Sequence, residues 1–515
     1  MPNRRTSTAI GAAIAFCATI ATLAPGLSAD PSTGDTAEAQ TVPYILGIAH
    51  ATGFPAYTLL GWLFSHVLPF GTVAWRLNLF TALCVAVTAA GVVLLADAIA
   101  ANAFAALAAA LIFAFGNIVR SEGHFANALS LAGLCGVYAL AAAVWYARSG
   151  DRRALLAACA WAGLGLATHP SIVFVLPAIV VAGLWRWRAL SPRTAAVAAV
   201  ALAAPLLLYL YFPVRSSVVA AQHLDPAARA PVFGTGRIDW DTNSPRTLNG
   251  FLDEVLARHE KAATAFKHFG DSRLPLGATR LWIGFANRQF GTLVEVLVAF
   301  GAVALARRDL RALSVVAAGT IGFVLFAGIY HLDTSIYWYY SVPVAATAAL
   351  AAAATRLELP RVRPGLVQIV ASVLLVVAAG LTWADARPSA GIPVPPDGQP
   401  IIDAVARDVP ACAIIVAPWY EALALGYGAA IEHALGSRII VAGLPAQFVR
   451  YFPAWSRARP VVVYAGGMEL MSVGRIPPMW IAELPSSNMF YHVFEMRPRT
   501  GDDPIPAAVP SGPCE

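Results

Sequence analysis

Eleven apolar runs, each close to the ~20 residues a helix needs to cross a bilayer, dominate this chain and leave little room for a soluble fold. They lie near residues 8–27, 73–98, 101–119, 125–147, 153–168, 171–187, 194–212, 285–306, 311–330, 336–354 and 365–384. Arginine separates them unevenly. Alternate turns hold Arg4 and Arg5; Arg148, Arg152 and Arg153; Arg186, Arg188 and Arg193; Arg307, Arg308 and Arg311; and Arg356, Arg361 and Arg363. The short loops between those turns (29–72, 120–124, 169–170 and 331–335) hold only Arg120. Basic residues collect on the cytoplasmic side, so fourteen arginines against one place the N-terminus inside. A missed or extra helix would scramble the sign further along, so the pattern supports the count as well. Only 12% of residues are charged, against about 25% in a soluble domain. The net charge of +6 sits largely in turns that orient helices, so it gives no reason to expect nucleic acid.

The first run has a rival reading, because a basic start, an apolar middle and small residues before a cut after Ala29 would also make a signal peptide. Either way, the residues after Ala29 lie outside. Three pieces then share the outer side. Loop 29–72 mixes aromatics, Gly and Pro, and reads as short helices in the interface. Loop 213–284 ends in a stretch with the pattern of an amphipathic helix. In the tail, 385–515, the apolar runs "CAIIVA", "RIIVAG" and "PVVVYA" alternate with helical stretches such as "PWYEALALGYGAAIEHAL". That alternation predicts a small α/β domain with a largely parallel sheet. The expected organisation is a transmembrane domain over 1–384, all-α and polytopic, and an extracytoplasmic α/β domain over 385–515. The tail has no Gly-rich phosphate loop, so nucleotide binding has no support. Cys17, Cys84, Cys135 and Cys159 fall in predicted spans as packing residues. Cys412 and Cys514 fall outside, where a bridge is permitted; no spacing resembles a zinc site.

Loop 29–72 and the start of the next apolar run carry a set of short motifs: Gly34-Asp35-Thr36-Ala37-Glu38, Leu46 to His50, Gly53-Phe54-Pro55-Ala56-Tyr57 and Ala74-Trp75-Arg76-Leu77-Asn78. In these the stretch resembles the first external loop of bacterial multi-spanning proteins related to the transmembrane protein O-mannosyltransferases, glycosyltransferase family 117 of the GT-C fold. Weaker echoes surround Glu122, "GLATHPS" at His169, "YFPVRSS" at Arg215 and "DTSIYWYYSVP" at Asp333. Ala51-Thr52 stand where the family usually shows Pro-Pro, and Gly123-His124 follow Glu122 in place of Val-Tyr. The resemblance implies an inverting GT-C-type glycosyltransferase. It would move a mannose-like hexose from a polyprenyl-phosphate donor to a hydroxyl of a protein, lipid or glycan acceptor, at the outer face of a bacterial inner membrane.

The chemistry can be reasoned from the residues. A lipid-phosphate sugar is already activated, so the enzyme must take a proton from the acceptor and stabilise the departing phosphate. A carboxylate suits the first task, and Arg or His the second. Asp35 and Glu38 are three apart and share a helical face, one as base and the other as its positioner. The residues name no cofactor with certainty, and a divalent metal, if used, would fall to this pair. His50, Arg120, Glu122, His169, Arg215 and Asp333 are the expected donor- and acceptor-binding residues. Each has a plainer alternative: Asp35 and Glu38 a helix cap, Arg120 and Glu122 a loop ion pair, Arg215 an interface anchor, His50 and His169 capping or packing, Asp333 an acid at a helix mouth. Glu295 lies inside a span, where an ionisable residue is costly, and Tyr337 to Tyr340 read as an aromatic belt. A transporter or flippase of a lipid-linked or polar substrate is the alternative class. It would favour repeated halves and midplane polar groups, whereas here the acids gather outside. A scaffold would not need eleven spans.

The topology is directly testable. A reporter active only in the cytoplasm should work when fused at Arg152 or Arg308 and stay silent at Thr242 or after Pro388; activity at Thr242 would overturn the layout.

Overall fold

The computed structural model describes residues 4–29, 34–100, 102–230, 232, 234–258, 274–329, 339–385, 397–466, 479–484 and 491–498. Within these residues, every one of the eleven apolar runs is helical. In chain order the helices are α1 (Arg4–Ile20), α2 (Thr36–Ile45), α3 (Pro55–Val67), α4 (Val73–Ile99), α5 (Ala103–Phe115), α6 (Asn117–Gly123), α7 (Ala128–Ser149) and α8 (Arg152–Leu166). They continue with α9 (Leu176–Trp185), α10 (Pro192–Ala203), α11 (Tyr211–Ala221), α12 (Leu248–Leu256), α13 (Leu274–Arg308), α14 (Leu310–Ala318), α15 (Ile321–Ile329), α16 (Ser341–Ala353) and α17 (Pro364–Asp385). Five helical stretches, Val73–Ile99, Ala128–Ser149, Pro192–Ala221, Pro275–Arg308 and Pro364–Asp385, are long and apolar enough to cross a bilayer by themselves. The protein is a helical integral membrane protein.

Three of the arginines that set the orientation expectation, Arg148, Arg186 and Arg356, bond to carbonyls at helix ends. Arg148 donates to the carbonyl of Ala98 and pairs with Asp309 at 2.6 Å. Arg186 donates to the carbonyls of Ala147, at 2.9 Å, and Arg148, while Arg356 donates to Ala100 at 2.8 Å. The last carbonyls of α4 and α7, orphaned by helix geometry, thus gather basic side chains at one end of the bundle. The other ends of α4 and α7 lie roughly 30 Å away, at 1.5 Å per residue.

At that far end the loop expectations need correction. In loop 29–72, α3 keeps an exposed apolar face, with Leu63 53% and Val67 71% exposed, as an interfacial helix would. Helix α2 does not: Glu38, Gln40, Thr41 and Val42 are all at most 2% exposed. The second loop does not begin at 213, because α11 runs on to Ala221. Pro213 falls in the first turn of α11, where a proline is tolerated, and Arg215 gains carbonyl partners by staying in the helix. Nor does it end at 284, since α13 begins at Leu274 and breaks later, at Gly291, whose φ of +73° only glycine adopts cheaply. Tyr340 is fully buried and Tyr339 packs on His169 and Phe326, so this pair is no aromatic belt; Tyr337 and Trp338 lie outside the described residues.

The tail adds α18 (Gln399–Asp408), α19 (Trp419–Ala430), α20 (Pro445–Phe448) and α21 (Phe452–Ala458) around a five-stranded sheet. Its strands are β1 (Ile414–Ala417), β2 (Ile439–Ala442), β3 (Val461–Gly466), β4 (Met479–Glu483) and β5 (Tyr491–Pro498), in the order β2-β1-β3-β5-β4. The three apolar runs pair in parallel as expected, while β5 runs antiparallel to both β3 and β4. Strands β1 and β2 are buried on both faces, which is why they read as unbroken apolar runs. Ile415 and Ile440 face a core shared with Leu423 and Tyr427, and that core continues into Ala37, Val73, Ala74 and Leu77. Ile414 and Val441 face Phe448, Phe452 and Trp455 together with Ala227 and Val232 of the second loop. The sheet region is therefore cored jointly with loop and helix residues from the first half of the chain. Cys412 is disulfide-bonded, and Cys17, Cys84, Cys135 and Cys159 are free thiols; Cys514 lies outside the described residues.

Close helix packing gives a stability test. A Cβ on Gly301 would lie 1.8 Å from the Leu350 carbonyl oxygen, where α13 crosses α16, whereas one on Gly380 meets nothing within 4 Å. Gly301→Leu should cost at least the ~1–3 kcal/mol of overpacking and lower the melting temperature in detergent, with Gly380→Leu near wild type.

Candidate functional site

The polypeptide between α2 and α3 is a strap whose peptide groups are satisfied by several different elements. Arg215 of α11 donates to the carbonyls of Leu46, at 2.5 Å, and Ile45, at 2.9 Å. Tyr211 donates its hydroxyl to the Gly47 carbonyl at 2.9 Å. The Ile48 N–H reaches the Asp239 carbonyl of the second loop at 3.0 Å, and a Cβ on Gly47 would sit 1.7 Å from that oxygen. Gly47 must therefore be glycine. The His50 N–H donates to Glu38 Oε1 at 2.7 Å. Beyond it, Gly53 and Phe54 adopt left-handed φ of 73° and 54°, and Pro55 starts α3.

This strap sets His50 between the two acids. Its Nδ1 is 2.5 Å from Glu38 Oε2 and its Nε2 is 3.5 Å from Asp35 Oδ2. Glu38 faces Nδ1, and Nε2 points toward Asp35. Glu38 thus positions His50, through both ring and main chain. Asp35 occupies the N-cap position of α2 yet makes no side-chain cap bond. Instead its Oδ1 accepts from Trp419 Nε1 at 2.7 Å. The Asp35 side chain remains 43% exposed, against 3% for Glu38. An acid buried and doubly bonded, next to one open to an incoming group, is a division of labour that suits Asp35 for proton transfer.

The other expected residues divide clearly. His169 accepts from the Ser171 N–H at 3.1 Å and caps the 3-10 turn Pro170–Val175, while its ring stacks on Phe54 at 5.7 Å. Phe54 in turn meets His50 edge-on at 5.4 Å, so His169 supports the site from below. Arg215 is occupied by the strap. Arg120 of α6 is 8% exposed, and its Nε and Nη1 have no hydrogen-bond partner among the described residues; the Trp383 ring lies 5.4 Å from its guanidinium. Nearby His124 is pushed down to about 4 by burial and by the Arg120 charge, so it is neutral at physiological pH and Arg120 carries the local charge. The Glu122 side chain and Asp333 lie outside the described residues. Glu295 accepts from Asn287 at 3.4 Å. No group of three or more His, Cys, Asp or Glu side chains among the described residues is arranged to hold a metal, and both oxygens of Glu38 are committed to His50.

The sequence reading missed Trp419 and Asp239. Asp239 is 1% exposed at φ +65°, with Oδ2 against α19, where a Cβ on Gly426 would lie 2.0 Å away. Burial first, then the charges of Glu38 and Asp225, hold its carboxyl well above the usual range. The residues on either side are held by ion pairs: Arg237 lies 3.2 Å from Asp225 and 3.4 Å from Asp241, and Arg246 is 2.6 Å from Asp241. "GRIDWDTNS" offered no more than a short acidic stretch with one aromatic as a signal. An acid protonated in the folded state and ionised in the unfolded one loses stability as pH rises above its unfolded value. Asp239→Asn should therefore flatten the fall in melting temperature as pH rises above about 4, the unfolded carboxylate value; an unchanged slope would assign that fall elsewhere.

Residues 35–191 match the family described as Protein O-mannosyl-transferase TMEM260 N-terminal domain. The chain is 26% identical over 321 residues to Protein O-mannosyl-transferase TMEM260 of Mus musculus, covering 61% of this chain and 42% of that protein. It is 27% identical over 119 residues to the Dictyostelium discoideum protein of that name, covering 23% and 14%. The chain thus spans less than half the length of these relatives. Crystal structures of ArnT from Cupriavidus metallidurans, bound to undecaprenyl phosphate and in the apo state, superpose with TM-scores of 0.54 and 0.52 at 13% and 14% identity, over 95% of this chain and 97% of theirs. The protein has the GT-C membrane fold, and its N-terminal part is similar in sequence to the transmembrane protein O-mannosyltransferases.

Proposed function

We propose that this membrane glycosyltransferase moves a hexose from a polyprenyl-phosphate donor to an acceptor hydroxyl, at the outer face of the membrane and with inversion, and that Asp35 is the base. The observation that carries this reading is the Asp35–His50–Glu38 arrangement at the end of the bundle opposite the arginine-capped turns. The ArnT fold, seen with undecaprenyl phosphate, supports the donor class, and the O-mannosyl-transferase relatives support a mannose-like sugar. The acceptor oxygen attacks the anomeric carbon, its proton passes to Asp35, and the bond from that carbon to the phosphate oxygen breaks. Polyprenyl phosphate leaves with the electron pair. His50, held by Glu38, keeps its Nε2 beside Asp35 Oδ2 and limits where that oxygen can turn. Arg120, a buried guanidinium with spare donors, is suited to the phosphate charge that builds up on departure; Arg215 has its Nε and Nη2 on the carbonyls of Leu46 and Ile45.

Asp35→Asn keeps the hydrogen-bonding shape and removes the base. Transfer from a synthetic polyprenyl-phosphate hexose should fall by ~10²–10⁴, with donor binding retained and the melting temperature near wild type. Glu38→Gln should be the milder change, acting through His50, and a chelator titration reports whether a divalent ion contributes as well. Wild-type transfer by Asp35→Asn would end the assignment.

A further inference from the structure

We infer that the catalytic site is completed by the C-terminal α/β region, with Trp419 as a positioning residue that turns Asp35 toward its substrate. The inference rests on Asp35 being the base. An Asp at an N-cap position ordinarily accepts from the first free N–H groups of its own helix. Asp35 has that position at the start of α2 but no such bond. Its Oδ1 is held instead by the indole N–H of Trp419, 384 residues along the chain, at 2.7 Å. The two arrangements compete for one carboxylate. Without the indole donor, Asp35 can fold back onto α2 and satisfy its helix end; with it, the carboxylate turns outward and Oδ2 comes to rest beside His50 Nε2, 3.5 Å away. The same indole ring stands edge-on to the His50 ring, 5.6 Å between centroids at 88°, so it bounds both members of the pair.

Trp419 is well placed to be rigid. It follows β1 directly and opens α19, at the carboxyl end of the parallel strands. The neighbours of β1 there are β2 on one side and β3 on the other, so this is the point where the strand order reverses, the usual site for ligands in open α/β sheets. Two further contacts pin α19 from below. Tyr427 accepts the Ala74 N–H of α4 at 3.2 Å, and Gly426 lets Asp239 approach closely. The carboxyl end of the parallel strands therefore meets the acids of the first loop through Trp419, and the two halves form one site.

Trp419→Phe keeps an aromatic ring and deletes the donor. The inference expects kcat to fall, by up to the ~10² of a misplaced catalytic group, while the KM for donor lipid stays within about twofold of wild type. It expects no further loss when Trp419→Phe is added to Asp35→Asn, because both changes then act on one function. Wild-type kcat in Trp419→Phe, or an equal fold-loss in the Asp35→Asn background, overturns it. Replacement by benzothienylalanine, with sulfur where the N–H was, covers the case in which Phe lowers the melting temperature; full activity of that variant also overturns the inference. Asp35→Asn alone reports on the base assignment, so failure of that reading is seen separately.

Discussion

The site depends on satisfying the peptide groups of six residues, Ile45 to His50. A turn of irregular backbone packed inside a protein costs heavily for every N–H or carbonyl left unpaired. Here α11 supplies Arg215 and Tyr211, the second loop supplies the Asp239 carbonyl, and α2 returns Glu38 to the His50 N–H. The strap consequently has one conformation, set by elements from three regions of the chain. That fixity seats a histidine between two carboxylates, bonded to Glu38 and facing Asp35. Several motif residues that seem functional by their spacing serve the same purpose. Asn78 accepts from Gln40 and Ala126 and donates to Ala24, and Arg76 donates to the Ser65 carbonyl where α3 ends. They hold the loop so that Asp35, Glu38 and His50 do not have to.

The membrane part was legible in the sequence because lipid leaves few choices. Without water, a spanning segment must satisfy its backbone internally, so each apolar run became a helix, and the arginine turns marked their ends. The three parallel strands were legible for a related reason, being buried on both faces. The boundaries at 213 and 284 were not, since an apolar helix can continue past the bilayer when a side chain such as Arg215 finds partners there. The β4–β5 hairpin was also missed, having neither unbroken apolar character nor a tight-turn signal.

At the site, local spacing found what lies on one helical turn and its strap. Asp35, Glu38 and His50 come together within a few ångströms. Spacing could not tell that Arg215 gives its Nε and Nη2 to carbonyls of the strap while Arg120 keeps Nε and Nη1 without a hydrogen-bond partner among the described residues. Trp419 and Asp239 were out of reach, as their roles come only from tertiary contact. A turn immediately after a buried parallel strand, carrying Pro418 and Trp419, was the available hint.

The separation of Asp35 and Trp419 along the chain, 384 residues, has a consequence for biosynthesis. At ~5–20 residues per second the carboxylate leaves the ribosome some ~20–80 s before the indole that orients it. During that interval most of the helices are being inserted, and the acids of the first loop stand without their partner from the tail. The Asp35–Trp419 contact can therefore form only after the membrane helices between the two residues have been made, so the first loop and the α/β region meet late in synthesis.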